Sequence, residues 1–185
     1  MLKNIRPIVR EILTFRLTHS GFILLFTISA CRYDKPADPM CRLADETLDR
    51  QTSMAPAKHS ACLIRLNEQL LSIKHRNSDK LTVPSGTVRH DESSQCAAHR
   101  HTWKTTGFNV KVGAYLGSDE TQTRYYQCTL AGNFTGSLQT FPVPKWAQLR
   151  VSEIQLIDPL AVQNSDWQGQ SRLALIHDMF NKIEH

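Results

Sequence analysis

From about residue 60 onward, short apolar runs alternate with polar breaks, a pattern that predicts more strands than helices. Residues 60–66 (SACLIRL) and 69–75 (QLLSIKH) are two such runs split by Asn67 and Glu68, which predicts a hairpin. After a polar turn at 76–80, Leu81, Thr82 and Val83 make a short strand that Pro84 stops. No period is visible over 84–91, which therefore reads as loop. Residues 92–105 read as a helix, and Gly107 stands where a left-handed residue would end it. Beyond it, 108–116 (FNVKVGAYL) and 124–130 (RYYQCTL) read as strands joined by the acidic, polar loop 117–123. Pro142 and Pro144 put 141–146 at an edge or in a loop, and 148–157 reads as a further strand closed by Asp158 and Pro159. Leu173, Ile176, Phe180 and Ile183 recur at helical spacing within 169–183 and form a packing face. Strands, a helix, more strands and a terminal helix predict an α+β fold or an α/β sandwich.

The beginning of the chain is different in kind. Residues 1–20 are basic, and 21–30 (GFILLFTISA) are apolar and uncharged. Such a run is shorter than the ~20 residues a helix needs to cross a hydrocarbon core, and it matches the apolar part of a secretory signal. It ends Ile28-Ser29-Ala30-Cys31, which resembles a bacterial lipobox. That resemblance implies cleavage before Cys31, a lipid on Cys31, and membrane attachment in the bacterial cell envelope, facing the periplasm. A buried or amphipathic N-terminal helix with an unrelated cysteine is the alternative. Residues 32–58 carry Pro36, Pro39 and Pro56, mixed charge and few large apolar side chains, too little to bury much surface. The expected organisation is a signal peptide over 1–30, a flexible tether over 31–58 and one globular domain over 59–185.

Composition narrows the partners. The formal net charge is +5, but residues 1–30 supply +3 of it through Lys3, Arg6, Arg10 and Arg16 against Glu11. The remaining +2, with no Lys/Arg run, gives no reason to expect a nucleic acid. Besides Cys31 there are Cys41, Cys62, Cys96 and Cys128, which an oxidising compartment could pair in three ways. Cys62 and Cys128 lie in strand-like runs and read as buried free thiols. No C-x-x-C pair occurs, which excludes a zinc ribbon.

The chemistry concentrates in 86–108, GTVRHDESSQCAAHRHTWKTTGF. Gly86, Glu92, Arg100 and Gly107 fall at the fixed positions of a pattern G-x5-E-x7-R-E-U-x-E-E-x-G-U, where U is aliphatic. This stretch resembles the Nudix box, and the resemblance extends over about 60–182. It implies a mixed sheet between helices, an α/β/α sandwich with the box as loop-helix-loop. It also implies hydrolysis of a diphosphate linked to another group, with Mg²⁺ or Mn²⁺ as cofactor. Glu92 and Arg100 would then be the catalytic-box residues, with Arg100 ordering the loop through acidic neighbours.

Three glutamate positions of the pattern are not met. Where the family has glutamates, this chain has His101, Lys104 and Thr105. Positions i, i+3 and i+4 share one helix face, so the change takes that face from a formal charge of −3 to about +1. Mg²⁺ wants hard oxygen ligands in a near-octahedral shell. A lysine ammonium ~4 Å from it would be repelled by about 8 kcal/mol at an effective dielectric of ~20. Relocated metal ligands would have to come from Glu92, Asp91, Asp119 or Glu120. A zinc site built on His90 and His101 near Cys96 is a lesser alternative, because His99 and His101 lie about 200° apart on a helix. Two functions stay open: a Nudix-fold binding module that has lost hydrolysis, and an active pyrophosphohydrolase with relocated ligands. A structural lipoprotein without a ligand is a third. The implied ligand is a diphosphate-containing small molecule or, for an anchored protein, a lipid-linked diphosphate.

Overall fold

The computed structural model of the chain describes residues 35–44, 56–130 and 138–183, all within one compact unit, Tyr33–His185. The expected signal and the Cys31 lipidation site lie outside the described residues.

Strand β1 (His59–Leu63) runs between two cores. Cys62 and the following Ile64 join one apolar cluster, while Ala61 and Leu63 join the other. A strand buried on both faces needs a near-continuous apolar run, which is what this one has. β7 (Thr123–Leu130) pairs with β1 in parallel, and β5 (Ser85–Thr87) pairs with it antiparallel. With β6 (Val110–Ser118) at the far edge, this mixed sheet has the order β5-β1-β7-β6. The second sheet is antiparallel. It runs β2 (Arg65–Leu66), β3 (Gln69–His75), β9 (Val151–Ile157) and β8 (Thr140–Phe141), with β4 (Leu81–Thr82) also on β3. Helix α1 (Ser94–Thr106) packs on the first core through Ala98, and α2 (Gln170–Asn181) on the second through Leu173, Ile176, Met179 and Phe180.

The α+β sandwich is as expected, with four local corrections. The apolar run 60–66 does not form one arm of a hairpin. It divides at Ile64, whose carbonyl accepts from Leu71 N at 2.9 Å, so that β1 and β2 belong to different sheets. Only Arg65–Leu66 turns back on β3, through Asn67 at φ 54°. The stretch 84–91 contains β5, a three-residue strand too short to show a side-chain period. Helix α1 begins at Ser94, because the Ser93 hydroxyl accepts from Cys96 N at 3.2 Å and caps it. Its other end is as expected, at Gly107 with φ 75°.

The fourth correction concerns the cysteines and the tether. Cys62 and Cys128 are not free thiols but a disulfide, since parallel pairing of β1 with β7 brings their Cα atoms to 5.5 Å. Cys41 is bonded to Cys96 of α1. Over 35–44 the chain is therefore fastened rather than free. Ala44 N donates to Val112 O and Val112 N to Arg42 O, both at 2.8 Å, so that Leu43 bridges the exposed edge of β6. The rest of the expected tether up to residue 55 lies outside the described residues.

Candidate functional site

The box begins at β5 and ends at Gly107, with Glu92 and Arg100 at its centre. The Glu92 carboxylate accepts from Arg100 Nε at 2.6 Å and from Arg100 Nη2 at 2.5 Å, a bidentate fork, and from Arg89 N at 3.2 Å. Arg100 Nη2 also donates to Thr87 O at 3.0 Å. Both side chains are largely buried, at 9% exposure for Arg100 and 14% for Glu92. Burial alone would raise the Glu92 carboxyl, but the Arg100 guanidinium and the Arg89 amide outweigh it and hold it below the usual range. Glu92 and Arg100 thus lock the loop between β5 and α1.

Gly86 has a steric role. A Cβ placed there would lie 2.1 Å from His101 Cε1, so the imidazole rests directly on the glycine backbone. His101 Nε2 donates to Thr87 O at 2.9 Å. Burial, then the charges of Arg100 and Lys104, lower its pKa and favour the neutral ring. Lys104 is lowered by burial first and then by repulsion from Arg100, Lys35 and Arg89, with Asp38 acting in the opposite sense. Thr105 Oγ1 donates back along the helix to His101 O at 2.8 Å. The three positions therefore share one helix face, as their spacing requires, and present an imidazole, an ammonium and a hydroxyl.

The candidate relocated ligands are not brought together with Glu92. Asp91 is exposed and accepts from His90 Nδ1 at 2.7 Å. Asp119, in the turn between β6 and β7, is 6% exposed and fully occupied. It accepts from Thr121 N and Thr123 N at 2.9 Å and from Tyr125 OH at 2.9 Å, and is ion-paired with Arg172 Nε at 3.2 Å. Those bonds outweigh its burial and keep its pKa low. Glu120, beside it, lines an open cavity of about 320 Å³ with Ser118, Arg172 and Leu175. Among the described residues no three His, Cys, Asp or Glu side chains come together as a metal-holding group. The residues of the zinc alternative are engaged elsewhere: His90 Nδ1 with Asp91, His101 Nε2 with Thr87 O, and Cys96 in its disulfide.

Known structures with the same path of strands and helices settle the architecture. A UDP-X diphosphatase superposes with a TM-score of 0.52 at 15% identity, covering 72% of this chain and 68% of that one. A Nudix hydrolase from Nitrosomonas europaea gives 0.53 at 13% identity, covering 69% and 90%. A Bacillus subtilis pyrophosphohydrolase gives 0.51 at 20% identity, covering 73% and 85%. This chain has the Nudix fold. No protein-family model matches it, and no curated protein matches it in sequence.

Two features of this Nudix fold were not singled out in the sequence. A cavity of about 300 Å³ opens beside Ser85, one residue before Gly86, and is lined by His59, Thr123, Tyr125, Trp167 and Arg172 among others. These residues come from β1, β7, α2 and the loop before it, and no local spacing links them. The second is Asp38, whose pKa is lowered against its burial by a hydrogen bond from Lys35 and by the charges of Lys104 and Arg100. Nothing in 31–58 except Cys41 signals that this stretch returns to the box helix.

Proposed function

We propose that this Nudix-fold domain belongs to the diphosphate-hydrolase superfamily and works as a binding module for a diphosphate-containing small molecule, without Mg²⁺- or Mn²⁺-dependent hydrolysis. The observation that carries this reading is the His101 ring lying on Gly86 and bonded to Thr87 O. Together with the Lys104 ammonium on the same face, it leaves a donor set that does not fit a hard divalent cation. Glu92, the remaining box carboxylate, is committed to Arg100. What the face offers instead is positive charge from Arg89 and Lys104, suited to phosphate oxygens. The similar structures include a diphosphatase and a pyrophosphohydrolase, which supports a ligand of this class. No observation among the described residues favours a relocated metal site.

The test is binding and turnover of nucleoside diphosphate derivatives, with Mg²⁺ or Mn²⁺ and with chelator. The expected result is binding of equal strength in both conditions and no turnover. Turnover that Glu92→Gln abolishes would refute the reading.

We further propose that the chain is exported and lipidated at Cys31, which would make a lipid-linked diphosphate a candidate ligand. Support comes from the cysteine pairing. Four of the five cysteines form two disulfides, as expected in an oxidising compartment, and Cys31 is the fifth. Palmitate labelling lost in Cys31→Ser, with release from the membrane fraction, is the predicted outcome; unchanged fractionation would remove the proposal.

A further inference from the structure

The two disulfides differ in a way that bears on the box helix. Cys62 and Cys128 are 0% and 2% exposed and join adjacent strands inside the first core. Cys41 is exposed and Cys96 only half-buried, and their bond joins α1 to residues 35–44. The sequence separations are 55 and 66, so loop closure constrains the unfolded chain almost equally in both. Access to a thiol is what separates them, and exposed disulfides are the labile ones.

Residues 35–44 form a strap with two fastenings, the Cys41–Cys96 bond and the backbone pairing of Arg42 and Ala44 with Val112. Upstream of the clasp, Asp38 is ion-paired with Lys35. Cys96 lies in the first turn of α1 and Lys104 in the last, so the strap runs along the helix and brings Asp38 within electrostatic range of Lys104 and Arg100. The negative charge of Asp38 acts against the positive charge of Lys104.

We propose that Cys41–Cys96 is a reducible clasp, and that a dithiol reductant opens it, frees residues 35–41 from α1 and uncovers the cationic face of the box helix to phosphate-bearing anions. In the first step a reductant thiolate attacks the exposed Cys41 Sγ, the S–S bond breaks, and Cys96 leaves as thiolate. The second thiol of the reductant then displaces Cys41 from the mixed disulfide. Two electrons and two protons pass to Cys41 and Cys96, and the dithiol becomes a disulfide. Leu43 stays packed on the first core, so the fold survives the opening. The anion part of this proposal rests on the binding function proposed above; the clasp does not.

The experiment uses the oxidised full chain under native conditions, with dithiothreitol followed by alkylation and peptide mass spectrometry. Cys41 and Cys96 should alkylate at least ~10-fold faster than Cys62 and Cys128, with faster amide exchange over 35–44. Inorganic pyrophosphate, titrated without metal, should bind roughly 3- to 10-fold more tightly to the reduced protein and to Cys41→Ser, and Asp38→Asn should reproduce part of the gain while oxidised. Alkylation of all four cysteines together, or unchanged exchange over 35–44 after reduction, would overturn the clasp. Equal pyrophosphate affinity in both forms would overturn the gating. If neither form binds pyrophosphate while alkylation and exchange behave as expected, the clasp stands and the binding function falls.

Discussion

At the residue scale the contact between Gly86 and His101 is the most informative one. Gly86 has no positive φ in this structure, so its need for glycine comes from the imidazole above it rather than from backbone conformation. Gly86→Ala should therefore cost about 1–3 kcal/mol by overpacking. The double variant Gly86→Ala/His101→Ala should recover most of that loss, and a double-mutant cycle by urea denaturation checks it. Equal destabilisation with and without His101 would show that the ring is not what Gly86 accommodates. Glu92 gives a second prediction. Its folded pKa lies below its ordinary value of 4.5, so its stabilising effect is complete above that value and lost as pH falls through the lowered one. Glu92→Gln should cost about 2–3 kcal/mol at pH 7 and should flatten this acid-side loss, as measured by denaturation at pH 7 and pH 3.

Among the elements, α1 shows how local chemistry and distant packing divide the work. Its C-terminus was legible because Gly107 is the ordinary left-handed stop, and its start was legible to within two residues, where the Ser93 cap decides. Ser93→Ala should lower stability by about 1 kcal/mol without changing far-UV helix content, which thermal melts and circular dichroism can follow together. The strands were mostly legible from their apolar runs, and α2 from Leu173, Ile176, Phe180 and Ile183, all of which are buried. What was not legible depended on pairing between remote segments. The Cys62–Cys128 bond needs the parallel register of β1 and β7, and β5 exists only as an addition to the edge of β1. The break of 60–66 between two sheets hinges on one residue, Ile64, that a run of apolar letters does not mark.

For the whole molecule, the box spacing pointed to the architecture because Gly86, Glu92, Arg100 and Gly107 each hold backbone in place. The site was legible in part. Substitution at 101, 104 and 105 could be read directly, but the packing of His101 on Gly86, the occupancy of Asp119 and the return of 35–44 to α1 are tertiary facts. The central claim is that the helix face at His101, Lys104 and Thr105 cannot hold a divalent cation on an otherwise intact Nudix fold. Calorimetric titration with Mg²⁺ of the natural chain and of His101→Glu/Lys104→Glu/Thr105→Glu tests it most directly, with folding of both checked by circular dichroism. No saturable Mg²⁺ binding by the natural chain and saturable binding by the triple variant is the predicted pair of results. Saturable binding by the natural chain, or a folded triple variant that binds no Mg²⁺, would contradict the account.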